Sequence, residues 1–169
     1  MTSVITIDVV QETEKEAVGR LLVESYSQYK DSYANIQDWL NYAYDLTSSV
    51  NNPKVEKILV AKDGEEILGT LQLFTNSETA YNKPDLEIDS PIIRMLAVSP
   101  AARGKGIAQA LMKESIKYAR GIGANHIYLH TSDKMSKAIR LYEYLGFKRD
   151  RSKEFNKLNF VVKCYRLDI

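Results

Sequence analysis

In IIRMLAVSPAARGKGIAQAL, residues 92–111, an apolar strand runs through Val98-Ser99-Pro100 into a turn with two glycines and straight into a helix. The chemistry such a junction can do is anion binding. The first-turn N–H groups of a helix lack intrahelical partners and sit at the positive end of its dipole, so a phosphate placed there is held by main chain alone. Gly104 and Gly106 let the backbone approach such a ligand closely, because neither carries a Cβ.

Spacing excludes two families of phosphate binders. The dinucleotide fingerprint G-x-G-x-x-G needs glycine where Gln109 stands, and it belongs after the first strand of a parallel array. A P-loop needs G-x-x-x-x-G-K-[ST], but Gly104-Lys105 is followed by Gly106, which offers no hydroxyl to magnesium. A metal site is not expected elsewhere. His126, Tyr128 and His130 share one strand face, yet two histidines without a nearby carboxylate or cysteine make a poor ligand set.

The pattern R-x-x-G-x-A, here Arg103, Gly106 and Ala108, preceded by Val98-Ser99-Pro100, resembles the pyrophosphate loop of the GNAT superfamily of acyl-CoA N-acyltransferases. The second half of that family's pattern, A-x-x-L-Y-x-x-x-G-F, stands as Ala138, Leu141, Tyr142, Gly146 and Phe147. The resemblance covers residues 91–148 by motif. It implies that main chain from Arg103 through Gly104, Lys105, Gly106 and Ile107 to Ala108 holds the diphosphate of acetyl-CoA. It also implies that main chain of Leu96, Ala97 and Val98 pairs with the pantetheine arm where two parallel strands splay. Many relatives place asparagine three residues before the helix alanine, against the coenzyme. Met135 stands there in this chain, so the contact is expected from Met135 or Ser136.

Acetyl transfer to an amine needs a neutral nucleophile, a polarised thioester carbonyl and a proton for the departing thiolate. By resemblance Tyr142 is the general acid; a phenol with a pKa of about 10 stays protonated at neutral pH and suits that role. The alternative for Tyr142 is plain packing between Leu141 and Leu145. No spacing rule identifies the base. Glu87 and Asp89, at the entry to the 91–98 strand, are its candidates, with a solvated loop carboxylate as the alternative for each. Arg94 alternates with Leu96 and Val98, so it either orients an acidic substrate group or forms a structural ion pair. Tyr26, Tyr29, Tyr33, Asp85 and Glu87 belong to the segments expected to meet the acceptor, and Asp89 joins Arg94 and Tyr29 as an expected substrate contact.

Composition removes other classes. The chain has 169 residues, with 23 Lys plus Arg against 22 Asp plus Glu, so its formal net charge of +1 supplies no field to gather nucleic acid. No apolar run reaches the roughly 18 residues of a membrane span, and the start MTSVITID is not a secretory signal. A soluble cytoplasmic protein is therefore expected. Cys164 is the single cysteine, which precludes an intrachain disulfide; it is expected as a small apolar side chain in the last strand.

The elements that must position these residues follow from periodicity. A strand is expected at 4–10 and a helix from about Thr13, with Ala17, Val18, Leu21, Leu22 and Tyr26 on one face. A second helix should span Ile36 to Thr47, capped by Asn35, with Ile36, Trp39, Leu40, Ala43 and Leu46 sharing a face. Residues 58–62 and 67–74 make a hairpin around Asp63-Gly64-Glu65-Glu66, and 75–90 is expected to be a loop. The strand at 91–98, the helix ended by Gly121 and Gly123, and a parallel strand at 126–132 come next. A helix from Lys134 to Leu145 and a strand from Asn159 to Leu167 complete the chain.

These expectations describe a single domain over residues 1–169. Its fold class is α/β (α+β), the GNAT fold, with a mixed, mostly antiparallel sheet, one splayed parallel pair and four flanking helices. The resemblance implies an acetyl-CoA-dependent N-acetyltransferase acting on a primary amine of a small molecule by direct attack in a ternary complex. The alternatives are a protein or peptide acceptor, and a non-catalytic acyl-CoA sensor of the same fold. The expected partners are a small-molecule amine and a second copy of the chain in a homodimer, with no nucleic acid and no membrane.

Overall fold

The computed structural model describes residues 4–132, 135–157 and 160–169. The starts expected at Lys134 and Asn159 lie outside the described residues. Within them the strands are β1 (Ile5–Val9), β2 (Lys57–Asp63), β3 (Glu66–Phe74), β4 (Ile92–Val98), β5 (His126–Thr131), β6 (Lys148–Arg149), β7 (Phe155–Lys157) and β8 (Phe160–Asp168). The helices are α1 (Lys15–Tyr26), α2 (Ile36–Ser48), α3 (Ser77–Tyr81), α4 (Ile107–Gly121) and α5 (Ser136–Tyr144). The chain divides into two compact units, Met1–Gln72 with Met95–Glu114, and Leu73–Arg94 with Ser115–Ile169.

In the first unit the strand order is β1-β2-β3-β4. β1 lies antiparallel to β2 in the register Ile5↔Asp63 to Val9↔Leu59. β4 leaves β3 with the Ser99 N–H donating to the Leu68 carbonyl at 2.8 Å. Helices α1 and α2 supply Val18, Leu21, Leu22 and Leu46 to a core shared with Val50, Ile58, Val60 and Ala97. Full burial of each such side chain contributes on the order of 1.5–3 kcal/mol. Asn35 caps α2 as expected, its Oδ1 accepting from the Asp38 N–H at 2.9 Å. The face of α2 is not the one expected, because Trp39 and Leu46 are buried whereas Ile36 and Leu40 are exposed. Trp39 and Leu46 are seven residues apart on one row of the helix, and the row of Ile36 and Leu40 is turned to solvent.

In the second unit the order is β4-β5-β8-β6, with β7 beside β8. β4 and β5 are parallel, at Ile92↔Tyr128 and Ile93↔Leu129. β5 is antiparallel to β8 from His126↔Asp168 to Thr131↔Lys163. The fold is α/β with a mostly antiparallel sheet and one parallel pair. It carries five helices among the described residues, not four. The extra one, α3, falls in the 75–90 segment expected as a loop. Asn76 starts it with a capping box, its Oδ1 accepting from the Thr79 N–H at 2.9 Å while Thr79 answers the Asn76 N–H. Cys164 is buried in β8, and burial pushes its thiol pKa up.

Candidate functional site

The turn ahead of α4 has the features an anion needs. Pro100–Ala102 forms one 3₁₀ turn, and Gly104 and Gly106 follow at φ 82° and 76°. A Cβ added at either glycine would meet no atom within 4 Å, so the space above the turn is open. The Gly106 carbonyl accepts the first helical bond of α4, from Ala110 N at 3.0 Å, which leaves the N–H groups of Ile107, Ala108 and Gln109 to the helix end. No acidic residue stands in that first turn. Gly69 of β3 sets the helix at this depth: a Cβ there would lie 2.7 Å from Ile107 Cγ2. Open space, donor N–H groups and the positive end of a helix together fit a diphosphate.

Strand β4 bends beside this turn. Met95 lies in the left-handed region at φ 58°, a conformation that costs a residue with a Cβ roughly 1–2 kcal/mol. The register with β5 is made before this point, at Ile92 and Ile93. Ser99 and Ala97 direct main chain toward β3, because Ser99 N–H bonds Leu68 O and an added Gly69 Cβ would sit 3.2 Å from Ala97 O. By strand alternation Leu96 and Val98 direct theirs to the opposite edge. At that edge the Tyr26 hydroxyl donates to the Leu96 carbonyl at 2.9 Å.

The first unit thus brings together Leu96, Ala97, Val98, Arg103, Gly104, Lys105, Gly106, Ile107 and Ala108. Arg103 Nη2 donates to Ser25 O at the end of α1, at 3.3 Å. Half-buried Tyr29 belongs to this unit too. Burial raises its hydroxyl pKa against the opposing pull of Arg103, and its ring lies 6.1 Å from that of Tyr26. The row of rings continues from Tyr26 to Tyr42, Tyr33 and Trp39.

The second unit holds the remaining candidates. Tyr142 of α5 is buried, its ring tilted against Phe147 and Tyr165 at 6.2 and 6.4 Å. Gly146 ends the helix at φ 98° and lets the Phe147 N–H return to the Tyr142 carbonyl at 3.0 Å. Met135 precedes α5 without a side-chain cap, and its Sδ accepts from Thr131 Oγ1; Ser136 is exposed. Glu87 and Asp89 are both exposed. Glu87 stands at φ 54°, with its carbonyl taking a bond from Lys153 Nζ. Arg94 donates to Ala80 O at 2.7 Å and lies over the rings of Tyr81 and Phe74. His130 takes Tyr81 Oη on Nδ1 and Lys153 O on Nε2, each at 2.9 Å. A carbonyl can only accept, so Nε2 carries the proton and Tyr81 donates to Nδ1. His126 meets Asp168. No group of three or more metal-ligating side chains occurs among the described residues.

Sequence reasoning did not anticipate the left-handed Met95 or the bond from Tyr26 to Leu96. Neither has a sequence signal: methionine does not announce a positive φ, and Tyr26 fits the apolar periodicity of α1.

The model of the acetyltransferase (GNAT) family matches residues 15–147. N-acetyltransferase 8B of Rattus norvegicus is 31% identical over 121 residues, covering 67% of this chain and 52% of the rat protein. The chain spans about half the length of the curated relatives it matches first. The paia N-acetyltransferase of Thermoplasma acidophilum, solved in complex with coenzyme A, superposes with a TM-score of 0.71 at 16% identity, over 98% of this chain and 99% of that one. The Salmonella typhimurium yncA putative acetyltransferase, solved with acetyl-CoA, gives 0.64 at 17% identity over 97% and 93%. With both sequence halves of the pattern seated in this fold and the family model running across them, the chain belongs to the GNAT acetyltransferase family.

Proposed function

We propose that the protein is an acetyl-CoA-dependent N-acetyltransferase that acetylates a primary amine of a small molecule by direct attack in a ternary complex. The observation that carries this reading is the open turn at Gly104 and Gly106, which leads from β4 into α4. In this reading the first-turn N–H groups of α4 hold the diphosphate, and main chain of Leu96 to Val98 takes the amides of the arm. By resemblance Met135 and Ser136 are assigned to the coenzyme. Tyr142 gives its phenolic proton to the departing thiolate sulfur. Glu87 takes the ammonium proton directly or through water, with Asp89 as its rival.

On the acceptor side we place Arg94, Asp89 and Tyr29. The Ala80 carbonyl occupies one donor of Arg94 and leaves further N–H groups for an acidic substrate function. We read residues 1–169 as one domain, working as a homodimer in the cytoplasm. No helix among the described residues is long and apolar enough to cross a membrane.

The test is to incubate the protein with acetyl-CoA and panels of small amines and peptides while free thiol is followed. Thiol release driven by small amines is expected. Release driven only by peptides moves the acceptor class, and tight coenzyme binding without release makes the protein a sensor.

A further inference from the structure

The peptide joining Leu96 to Ala97 has an unusual position. It follows the left-handed Met95, past the residues where β4 is in register with β5, and its carbonyl points away from β3. A strand edge offered to a ligand needs its peptide planes fixed before the ligand arrives, because ordering them on binding subtracts from affinity. Here a side chain reaches that carbonyl: Tyr26, the last residue of α1, donates to Leu96 O at 2.9 Å. Its ring is held in turn by Tyr29 and by the edge-on ring of Tyr42, each at 6.1 Å. Tyr26 and Met95 both pack against the core cluster of the first unit, so the donor and the bend it braces rest on the same buried side chains. A carbonyl oxygen has two lone pairs, and Tyr26 needs one. The other can accept an amide N–H.

We propose that Tyr26 is a positioning residue of the coenzyme site, holding the Leu96 carbonyl in the orientation that receives the amide arm of acetyl-CoA. The inference rests on the acetyl-CoA reading given above and adds a residue to it. It assigns the end of α1 a role on the donor side.

Tyr26→Phe is the test, since it keeps the ring contacts and removes only the hydroxyl. Calorimetry on the full chain compares acetyl-CoA with 3′-phosphoadenosine 5′-diphosphate, which carries a diphosphate but no pantetheine arm. The expected result is binding of acetyl-CoA weakened about tenfold, with the fragment bound as well as by wild type. In the free protein the Ala97 amide ¹⁵N resonance should shift, reporting the lost bond on the preceding carbonyl. Equal weakening of both ligands would indicate a general loss of structure and overturn the proposal. So would unchanged or tighter acetyl-CoA binding, the latter showing that the hydroxyl competes with the arm. If wild type itself does not bind acetyl-CoA, the transferase reading falls and this inference with it; wild-type binding with an indifferent Phe variant removes this inference alone.

Discussion

Two glycines of the family pattern, Gly106 before α4 and Gly146 after α5, have positive φ values and opposite surroundings. At Gly106, φ 76°, an added Cβ meets nothing within 4 Å; at Gly146, φ 98°, it would lie 3.4 Å from Leu167 Cδ1. The first stands at a helix N-terminus, where the first-turn N–H groups have no intrahelical partners. The second stands at a C-terminus, where Gly146 and Phe147 return their N–H groups to Glu143 and Tyr142. The same residue type therefore borders open space in one place and closes a packed turn in the other. What separates them is the end of the helix they serve.

The largest effect should come from filling the open space. Gly106→Trp is expected to weaken acetyl-CoA binding by at least about a hundredfold, or roughly 3 kcal/mol, in a protein that still folds. Calorimetry with circular dichroism checks it, and unchanged affinity in a folded variant would remove the turn from the site. Tyr142→Phe probes the closed region. Turnover should fall about a hundredfold if the phenol supplies the proton, with acetyl-CoA affinity nearly intact. Equal turnover returns Tyr142 to packing between Phe147 and Tyr165.

Alanine at each glycine compares the two turns directly. Gly146→Ala should cost about 1–3 kcal/mol, since it adds strain at φ 98° to contact with Leu167. Gly106→Ala should cost only about 1 kcal/mol, because backbone strain is its sole penalty. Urea denaturation of both variants decides this. A larger loss at Gly106 would mean that the open turn is packed in solution.

The contrast also explains what could be read before the fold was known. The strand, turn and α4 are legible because Arg103, Gly106 and Ala108 keep the spacing of the family's pattern, and Asn35 announces α2 by its type and place. Main-chain geometry was not legible. Met95 is left-handed at φ 58°, and nothing in its residue type or neighbours in sequence signals that conformation. Helix α3 stayed hidden because SETAY is short and polar, and its cap depends on Asn76 and Thr79, not on the familiar Ser or Thr followed by Glu. The inward face of α2 was misjudged because Ile36 and Leu40 are as apolar as the buried Leu46, and only packing chooses between the rows. Tyr142 is a candidate by pattern, while the candidate bases Glu87 and Asp89 have no pattern and sit exposed in the structure.

A last, pH-dependent effect concerns the ion pair in the unit that holds the closed turn. The Glu154 carboxylate accepts from Arg149 Nε at 2.7 Å and Nη2 at 2.9 Å, and from the Cys164 N–H at 3.1 Å, with its side chain 9% exposed. The Arg149 bonds, opposed by burial and helped by the Cys164 N–H, hold its pKa below the ordinary carboxylate value. Glu154→Gln puts an amide where charged donors converge, so at neutral pH it should cost about 1–2 kcal/mol. The sign with pH follows from the lowered pKa. The ionised carboxylate stabilises the fold fully above the unfolded value of about 4.3, and that contribution disappears as pH falls through the lower folded value. The stability gap between wild type and Glu154→Gln should therefore hold constant from neutral pH to about 5 and close in more acidic solution. A gap that persists undiminished in acid would show that the carboxylate acts there by shape and not by charge.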